Sequence, residues 1–260
     1  MPDSQLHTFA VGDVHGRADL LDELLWGIKC KATVEAFAYR VIFLGDIIDR
    51  GPASFQAMEV VVNTLNSIPG SKLIRGNHDS FPLRILDAED PTMESKFCSH
   101  WGSVGGLETL RSYGYYGTEI TADTVREVFC AEHLACLRSA DRYVELGHHI
   151  LVHAGIVPGV SLCDQSDHDL MWIRNGFLTH PGSFGKVVVH GHTITESGKV
   201  EIFDNRIAVD TGAYRTGSLS AIEISPEGDV TVFHAYESNE PGGFSFRQVA
   251  NQDCYPLLMA

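Results

Sequence analysis

The chain repeats one pattern three times: an apolar segment ends in a glycine-led polar loop, and the loop continues into a helix-like stretch. The loops begin at Gly12, Gly45 and Gly76, so their glycines lie 33 and 31 residues apart. Residues 18–30 and 54–65, between the loops, carry leucine, valine and methionine at helical spacing. Each unit is therefore predicted to be a strand, a loop and a helix.

A period of about 32 residues is also compatible with an array of helical repeats. The β-branched apolar segments, such as VIFL at 41–44, and the lack of later copies favour parallel βαβ units instead. In such a sheet the carboxyl ends of the strands form the ligand crevice. We therefore expect all three loops to open at one edge and the chemistry to lie there.

The pattern changes after the third loop. From residue 87 to about 147, aromatic, glycine-rich and helix-like sequence such as WGSVGGLETLRSYG predicts a helical cap insertion. Strand-like segments then return at 149–153, 186–190, 200–203, 206–210, 219–224 and 230–236. Several of them alternate as in an antiparallel or mixed sheet, whereas the segment after Glu237 carries no strong signal. We expect a single catalytic domain over residues 1–260.

Composition limits the class of protein and its partners. The 44% apolar and 20% charged residues are typical of a globular enzyme and exclude disordered, collagen-like and coiled-coil chains. The net charge of -15 disfavours nucleic acid and anionic membranes as partners. The first basic residue is Arg17, so the charged region of a secretory signal is missing, and the six cysteines form no CxxC. These features predict a cytoplasmic protein with reduced thiols.

Side chains that can bind metals follow the strand-like segments one after another. They are Asp13, His15, Asp46, Asn77, His153 and His192. Each alone is most simply a turn residue or a structural histidine, but their shared position at one sheet edge indicates a site. Imidazole and oxygen donors without thiolate suit Mn, Fe, Zn or Ni. Two ions about 3.5–4 Å apart, bridged by Asp46, would use all six side chains.

These motifs resemble those of the calcineurin-like metallophosphoesterases, and within them the phosphoprotein phosphatase family with its small bacterial and phage members. The resemblance is carried by GDVHG, GDIIDRG, GNHD, LVHAG and GHT, which cover most of residues 6–215. It implies an α/β fold in which two mixed β-sheets are sandwiched between helices. It also implies one metal held by Asp13, His15 and Asp46, and a second held by Asp46, Asn77, His153 and His192.

The same resemblance assigns the substrate and the acid. Arg50 and Arg174 would bind the phosphate oxygens, which guanidinium groups match bidentately. His78 would protonate the leaving oxygen while Asp49 favours its charged form. The implied reaction is in-line attack by a metal-bridging hydroxide on phosphorus, without a phosphoenzyme.

Three functions compete. The lead is a dimetal phosphatase for phosphoserine and phosphothreonine in proteins, with Mn as the metal. The runner-up is a symmetrical dinucleoside tetraphosphate hydrolase, a family that commonly has GNHD where protein phosphatases usually have Glu at the place of Asp79. Its second motif commonly departs from Asp at the place of Asp49, so Asp49 favours the lead. The third is a non-catalytic metal-dependent binding protein.

The sequence leaves several points open. They are the physiological substrate (a phosphorylated protein, a dinucleoside tetraphosphate or a small phosphoester), the native metal, the oligomeric state and the roles of Asp79, His190, Asp210 and Tyr214.

Overall fold

Two six-stranded β-sheets pack face to face in the computed structural model of the chain. The structure describes residues 5–238 and 243–249 and the backbone of 255–256. The strands are β1 (His7–Val11), β2 (Tyr39–Phe43), β3 (Lys72–Leu73), β4 (Tyr143–Leu146), β5 (His149–Val152), β6 (Val187–His190), β7 (Glu201–Ile202), β8 (Arg206–Ala208), β9 (Ser218–Ile224), β10 (Val230–Glu237), β11 (Phe244–Val249) and β12 (Tyr255–Pro256). The helices are α1 (Ala18–Glu35), α2 (Ser54–Ser67), α3 (Ser80–Leu86), α4 (Pro91–Ser103), α5 (Gly106–Ser112), α6 (Ala122–Val128), α7 (Ala131–Ser139), α8 (Asp167–Trp172) and α9 (Ala213–Thr216).

The first sheet has the strand order β11-β10-β9-β1-β2-β3. Strands β1, β2 and β3 are parallel, and β9, β10 and β11 add to them in antiparallel fashion. The three predicted strand, loop and helix units are therefore confirmed. Helix α1 runs beyond the predicted residue 30 to Glu35, and Ala36 ends it in the left-handed conformation with φ 58°.

The second sheet has the order β12-β7-β8-β6-β5-β4. Strands β5, β6 and β8 are parallel to one another. Strand β4 pairs with β5, and β7 pairs with β8, in antiparallel fashion. Both sheets are thus mixed, as expected. The carboxyl ends of β5 and β6 lead directly to His153 and His192.

Three apolar layers hold the sandwich together. Alternate residues of the strands, such as Ala10, Ile42 and Val189, meet between the two sheets. Helices α1 and α2 cover the outer face of the first sheet, and a smaller cluster that includes Leu170 of α8 covers the outer face of the second. Because side chains alternate along a strand, each inner residue has an outer neighbour that packs against helices.

The insertion and the C-terminal segment differ from the sequence-based expectation. Helices α4 to α7 occupy residues 91–139, but Tyr143–Leu146, still inside the predicted 87–147 cap, form the edge strand β4. After Glu237, where no strand was predicted, Phe244–Val249 form β11, and Phe246 stacks on Phe233 at 5.4 Å. Both are edge strands, whose pairing depends on a neighbour distant in sequence.

Expectations about membrane-spanning helices and the state of the cysteines also follow from the sequence. Among the described residues, no helix combines the length and apolar character needed to cross a membrane. The cysteines within that part of the chain, Cys30, Cys98, Cys130, Cys136 and Cys163, are free thiols. Cys254 lies outside the described residues.

Candidate metal centre

The loops that follow the parallel strands of both sheets meet at one end of the sandwich. His15 N donates to Asp46 O at 2.8 Å, which joins the first loop to the second. His153 Nδ1 lies 2.8 Å from Leu44 O, which joins the two sheets. His192 N donates to Asp13 Oδ2 at 3.0 Å. The three glycine-led loops meet at one edge of the first sheet, as predicted, whereas His153 and His192 follow strands of the second sheet, so the six side chains meet at one end of the sandwich and not at a single sheet edge.

One group of side chains there that could hold a metal ion consists of His15, Asp46 and His78, whose ligand atoms lie within 4.8 Å of one another. His15 Nδ1 lies 2.9 Å from Ile48 O and must donate to it, so Nε2 carries the lone pair and faces the centre. Burial lowers the pKa of His15 to about 3, which keeps the imidazole neutral and able to bind a metal.

The other group consists of Asp46, His153 and His192, again within 4.8 Å. Because His153 Nδ1 donates to a backbone carbonyl, the lone pair of this ring lies on Nε2. Nε2 lies 3.4 Å from Asp46 Oδ1. Asn77 Oδ1 lies 2.9 Å from His153 Nε2 and 2.8 Å from His192 Nδ1. Burial lowers the pKa of His192 to about 3, so this ring is neutral as well.

Asp46 belongs to both groups, which is the arrangement a bridging carboxylate needs. Its Oδ1 accepts a hydrogen bond from His78 N at 2.9 Å. Burial works to raise the pKa of Asp46, but the neighbouring histidines, His153 foremost, lower it below its usual value. Asp46 is therefore a carboxylate at neutral pH.

Asp13 lies outside both of these groups, although the sequence placed it on the first metal. It is buried against a second carboxylate, Asp210, which the sequence left without a role. Burial, followed by the charges of Asp210 and Asp46, raises the pKa of Asp13, and burial raises that of Asp210 to about 6. Buried carboxylates that repel one another are the surroundings a divalent cation relieves. The oxygen and imidazole donors thus fit a dinuclear centre.

His78 appears in the first group where the sequence placed Asp13. Its Nδ1 is engaged by Asp49 Oδ2 at 2.7 Å. Burial acts to lower the pKa of His78, but the charges of Asp46 and Asp49 raise it overall. A histidine held by one carboxylate and raised in pKa suits an acid better than a metal ligand.

Backbone strain is concentrated at this centre. Among the described residues, six non-glycine residues have positive φ, and five are site residues: His15 at 44°, Asp46 at 52°, Asp49 at 76°, Arg50 at 69° and His192 at 63°. Such conformations cost energy and persist where the surrounding structure enforces them.

Two glycines of the motifs are required by the close approach of carboxylates. A Cβ on Gly76 would lie 2.2 Å from Asp46 Oδ1, and one on Gly191 would lie 2.1 Å from Asp13 Oδ1. Any side chain at either position would displace a predicted metal ligand.

The two arginines predicted to bind phosphate both contact the centre. Arg50 reaches His15 Nε2 and His78 Nε2, each at 3.0 Å, and its guanidinium lies 4.8 Å from the ring of Tyr214. Arg174 is exposed and donates from Nε to His192 Nε2 at 3.3 Å. Guanidinium groups therefore lie over both groups of candidate ligands.

The insertion supplies two partners of Asp49 that sequence reasoning missed. Trp101 Nε1 donates to Asp49 Oδ1 at 2.9 Å, and Thr109 Oγ1 donates to the same oxygen at 2.7 Å. Trp101, Thr109 and Asp49 are all fully buried. The WGSVGG segment was the available signal, but nothing in its residue types points to Asp49.

Asp79 fixes the loop that carries Asp46. Its carboxylate accepts hydrogen bonds from Asp46 N at 2.7 Å, Ile47 N at 2.9 Å and Gly76 N at 3.1 Å. Burial, with the nearby charge of Asp46, raises its pKa to about 7. Asp79 thus joins the second and third loops and has a structural role that its sequence position did not reveal.

Known proteins resemble this chain in sequence. The family model of calcineurin-like phosphoesterases matches residues 6–218. Serine/threonine-protein phosphatase 2 of Escherichia coli (strain K12) is 23% identical over 225 residues, which cover 84% of this chain and 93% of that protein. The symmetrical bis(5'-nucleosyl)-tetraphosphatase of Dechloromonas aromatica (strain RCB) is 27% identical over 155 residues, covering 58% of this chain and 44% of that protein. The match to this second relative thus spans less than half of its length.

Solved structures show the same fold. A crystal structure of a proposed diadenosine tetraphosphatase superposes with a TM-score of 0.60 at 18% identity and covers 92% of this chain and 97% of that one. A protein serine/threonine phosphatase from Saccharomyces cerevisiae gives 0.51 at 13% identity, covering 95% and 80%. Because the family model spans most of the chain and the fold agrees, the protein belongs to the calcineurin-like phosphoesterases, a superfamily of hydrolases.

Proposed function

We propose that the protein is a dimetal phosphomonoesterase that acts on phosphoserine and phosphothreonine in proteins. The observation that carries the proposal is the pair of ligand groups that share Asp46. Asp13, His15 and Asp46 would hold one divalent ion, and Asp46, Asn77, His153 and His192 the other, with Mn as the proposed metal. We also propose that it acts in the cytoplasm.

When bound, the two ions would lower the pKa of a water molecule and polarise the phosphoryl oxygens. Arg50 and Arg174 lie beside the ligand groups and would bind the equatorial oxygens, on which charge develops in the transition state. Their planar forks favour a phosphoryl group over a spherical anion. These two side chains therefore orient the substrate.

His78 would donate the proton that the departing oxygen needs. Asp49 holds its Nδ1, so the proton would leave from Nε2, which accepts from Arg50 in this structure and would carry the proton once Arg50 turns to the phosphate. Trp101 and Thr109 hold Asp49 in turn, which fixes the ring of His78. A general acid matters most for a poor leaving group such as a serine or threonine alkoxide.

The likeness to serine/threonine-protein phosphatase 2 along nearly the whole length of that protein supports the protein-phosphatase assignment. The second candidate is the symmetrical hydrolysis of dinucleoside tetraphosphates. Asp79, in GNHD, and the tetraphosphatase relative favour it. Both candidates need the same metal centre and differ in the group beyond the phosphate.

Metal removal tests the shared part of the proposal. Chelator-stripped protein should lose its activity on an aryl phosphate, and Mn should restore it. Asp46→Asn should lower metal content and activity, whereas the exposed control Asp123→Asn should preserve both. Full activity in protein shown by elemental analysis to be metal-free would contradict the dimetal mechanism. Metal-loaded, folded protein without turnover would favour a binding protein.

A parallel measurement of kcat/KM with one Mn-loaded preparation tests the substrate. A phosphopeptide should be a better substrate than diadenosine tetraphosphate. A tenfold preference for diadenosine tetraphosphate, equivalent to about 1.4 kcal/mol, would instead support the second candidate.

A further inference from the structure

An open groove lies on the outer surface of the helices that cover the first sheet. It has a volume of about 920 Å³ and is lined by residues of α1 and α2, together with Tyr39 of β2 and Phe244 of β11. Small-molecule pockets have volumes of about 300–1,000 Å³, so this groove has room for several side chains of a partner. The groove and the candidate metal centre share no described residue.

Trp26 supplies an exposed apolar surface to the groove. Its side chain is 62% exposed, whereas Trp101 is fully buried. Leu25, Val60 and Phe244 line the same groove and are half-buried. Exposed apolar surface in a concave region marks interaction sites, and tryptophan is enriched among the residues that contribute most to binding. The groove therefore offers an apolar anchor point to a partner.

Carboxylates lie beside this anchor. Asp19, Asp22 and Glu23 precede Trp26 by seven, four and three residues, so they share its face of α1, and all three line the groove. Arg17 pairs with Asp19, but no described residue forms an ion pair with Asp22 or Glu23. Burial, and after it the charge of Asp19, raises the pKa of Asp22. Two carboxylates of the groove thus lack a cationic partner.

The charges have an order along α1. The carboxylates precede Trp26, whereas Lys29, which also lines the groove, follows it by three residues. Helix α1 begins at Ala18, three residues after His15, so the acidic end is the end nearer the metal centre. A complementary partner therefore places its cations toward the start of α1 and its apolar side chain on Trp26.

The same charges restrict which partner can supply these cations. A second copy of the chain carries a net charge of -15 as well and would meet repulsion. Residues 1–4, 239–242 and 250–260, which lie outside the described part of the chain, contain no lysine or arginine. A basic segment of another protein meets both requirements.

We propose that this groove docks a basic segment of another protein. A large apolar side chain of the segment would pack on Trp26, and lysine or arginine side chains beside it would pair with Asp22 and Glu23. Because the groove lies apart from the metal centre, this inference does not depend on the proposed phosphatase activity.

Direct binding of a short peptide to the full, Mn-loaded chain tests the proposal. The probe is an amidated peptide of four lysines followed by two phenylalanines and a serine. Calorimetry at low ionic strength should give a dissociation constant below about 0.5 mM. Fluorescence should shift to shorter wavelength as Trp26 is covered. Replacing the lysines with glutamates, or the phenylalanines with alanines, should each weaken binding at least about fivefold.

Variants of the anchor locate the binding site. Trp26→Ala should weaken binding of the lysine peptide at least about fivefold and abolish the fluorescence shift. Its matched control is Tyr116→Ala, which removes an aromatic ring that is 84% exposed and lies outside the groove, and which should leave binding unchanged. Both side chains are exposed, so neither substitution opens a cavity, and thermal melting verifies the fold.

Variants of the carboxylates test the charge pairing. The double variant Asp22→Asn/Glu23→Gln should weaken binding at least about fivefold and reduce its dependence on salt. The control Asp123→Asn/Glu127→Gln removes the same charge from the exposed face of α6 and should leave affinity within about twofold of the unaltered chain.

Four results would overturn the proposal. They are no saturable binding of the lysine peptide, equal affinity for the lysine and glutamate peptides, equal affinity of the Trp26→Ala and Tyr116→Ala proteins, and binding that occurs only after the metal is removed. The last would mean that the peptide enters the empty metal centre.

Discussion

Thr109 holds Asp49 from two sides, and its hydroxyl can be removed without changing the shape of the side chain. Thr109 Oγ1 donates to Asp49 Oδ1 at 2.7 Å and accepts from Asp49 N at 2.9 Å. Thr109→Val replaces the hydroxyl with a methyl group of similar size. Trp101 Nε1 still donates to the carboxylate, and Ser54 Oγ, at 3.1 Å, still accepts from Asp49 N. The substitution therefore removes the charge-assisted bond to Asp49 Oδ1, the bond from Asp49 N that Ser54 shares, and the contact of Thr109 Oγ1 with Ser54 Oγ at 3.1 Å.

The expected cost follows from this geometry. A hydrogen bond to a charged group contributes about 1.5–3 kcal/mol, and at full burial neither partner can turn to solvent. We expect the free energy of unfolding to fall by about this amount. For a domain of this size the melting temperature should fall by roughly 3–12 °C. Looser support of Asp49 should also reduce kcat on an alkyl phosphate, because His78 loses its fixed orientation.

A matched control separates this effect from that of any buried threonine. Thr64 is 6% exposed, and its hydroxyl donates to Val60 O at 2.7 Å within helix α2. Thr64→Val should cost less than about 1 kcal/mol, because the bond is neutral and local. Melting curves and kcat are measured for both variants at equal metal content. A Thr109→Val protein that melts within about 1 °C of the Thr64→Val protein would refute the reasoning.

Three further outcomes are expected. Asp79→Asn turns an amide donor toward backbone N–H groups, so metal affinity and melting temperature should both fall. Titration calorimetry measures the affinity and thermal scans measure the melting temperature. Unchanged metal affinity would contradict the role of Asp79. Gly191→Ala should lower metal content measured by elemental analysis, because the new Cβ lies 2.1 Å from Asp13 Oδ1, whereas Gly228→Ala, with open space around it, should not. Burial lowers the pKa of His234 from 6.5 to about 4. The unfolded chain therefore takes up this proton first, and the free energy of unfolding should fall by up to about 3 kcal/mol as pH drops from 6.5 to 4; denaturant titrations of His234→Asn that retain the full slope would contradict this.

The catalytic frame was largely predictable from the sequence because its signals are local. Each apolar strand of the parallel core ends directly before a polar loop, and helical spacing between the loops identified α1 and α2. The carboxyl ends of parallel strands share one edge, so Asp13, Asp46 and Asn77 could be brought together without coordinates, whereas the approach of His153 depends on the packing of the second sheet on the first.

Pairing between distant segments was not predictable in the same way. The edge strands β4 and β11 acquire their conformation from neighbours, and the alternating phenylalanines of 244–246 are too short a pattern to distinguish from a loop. The cap was predicted to continue to residue 147, because the short segment before the β4–β5 turn carries no strand signal of its own.

The tertiary structure alone decided how the site is supported. Trp101 and Thr109 lie 52 and 60 residues beyond Asp49, and only the packing of α4 and α5 against the second loop brings them to it. The positive φ angles of Asp46, Asp49 and His192 likewise have no sequence signature, since none of these residues is glycine. The sequence specified which side chains stand at the strand ends through local periodicity and loop motifs. Their geometry depends on long-range hydrogen bonds in a buried environment, where an unpaired polar group is costly and only the complete fold supplies the partners.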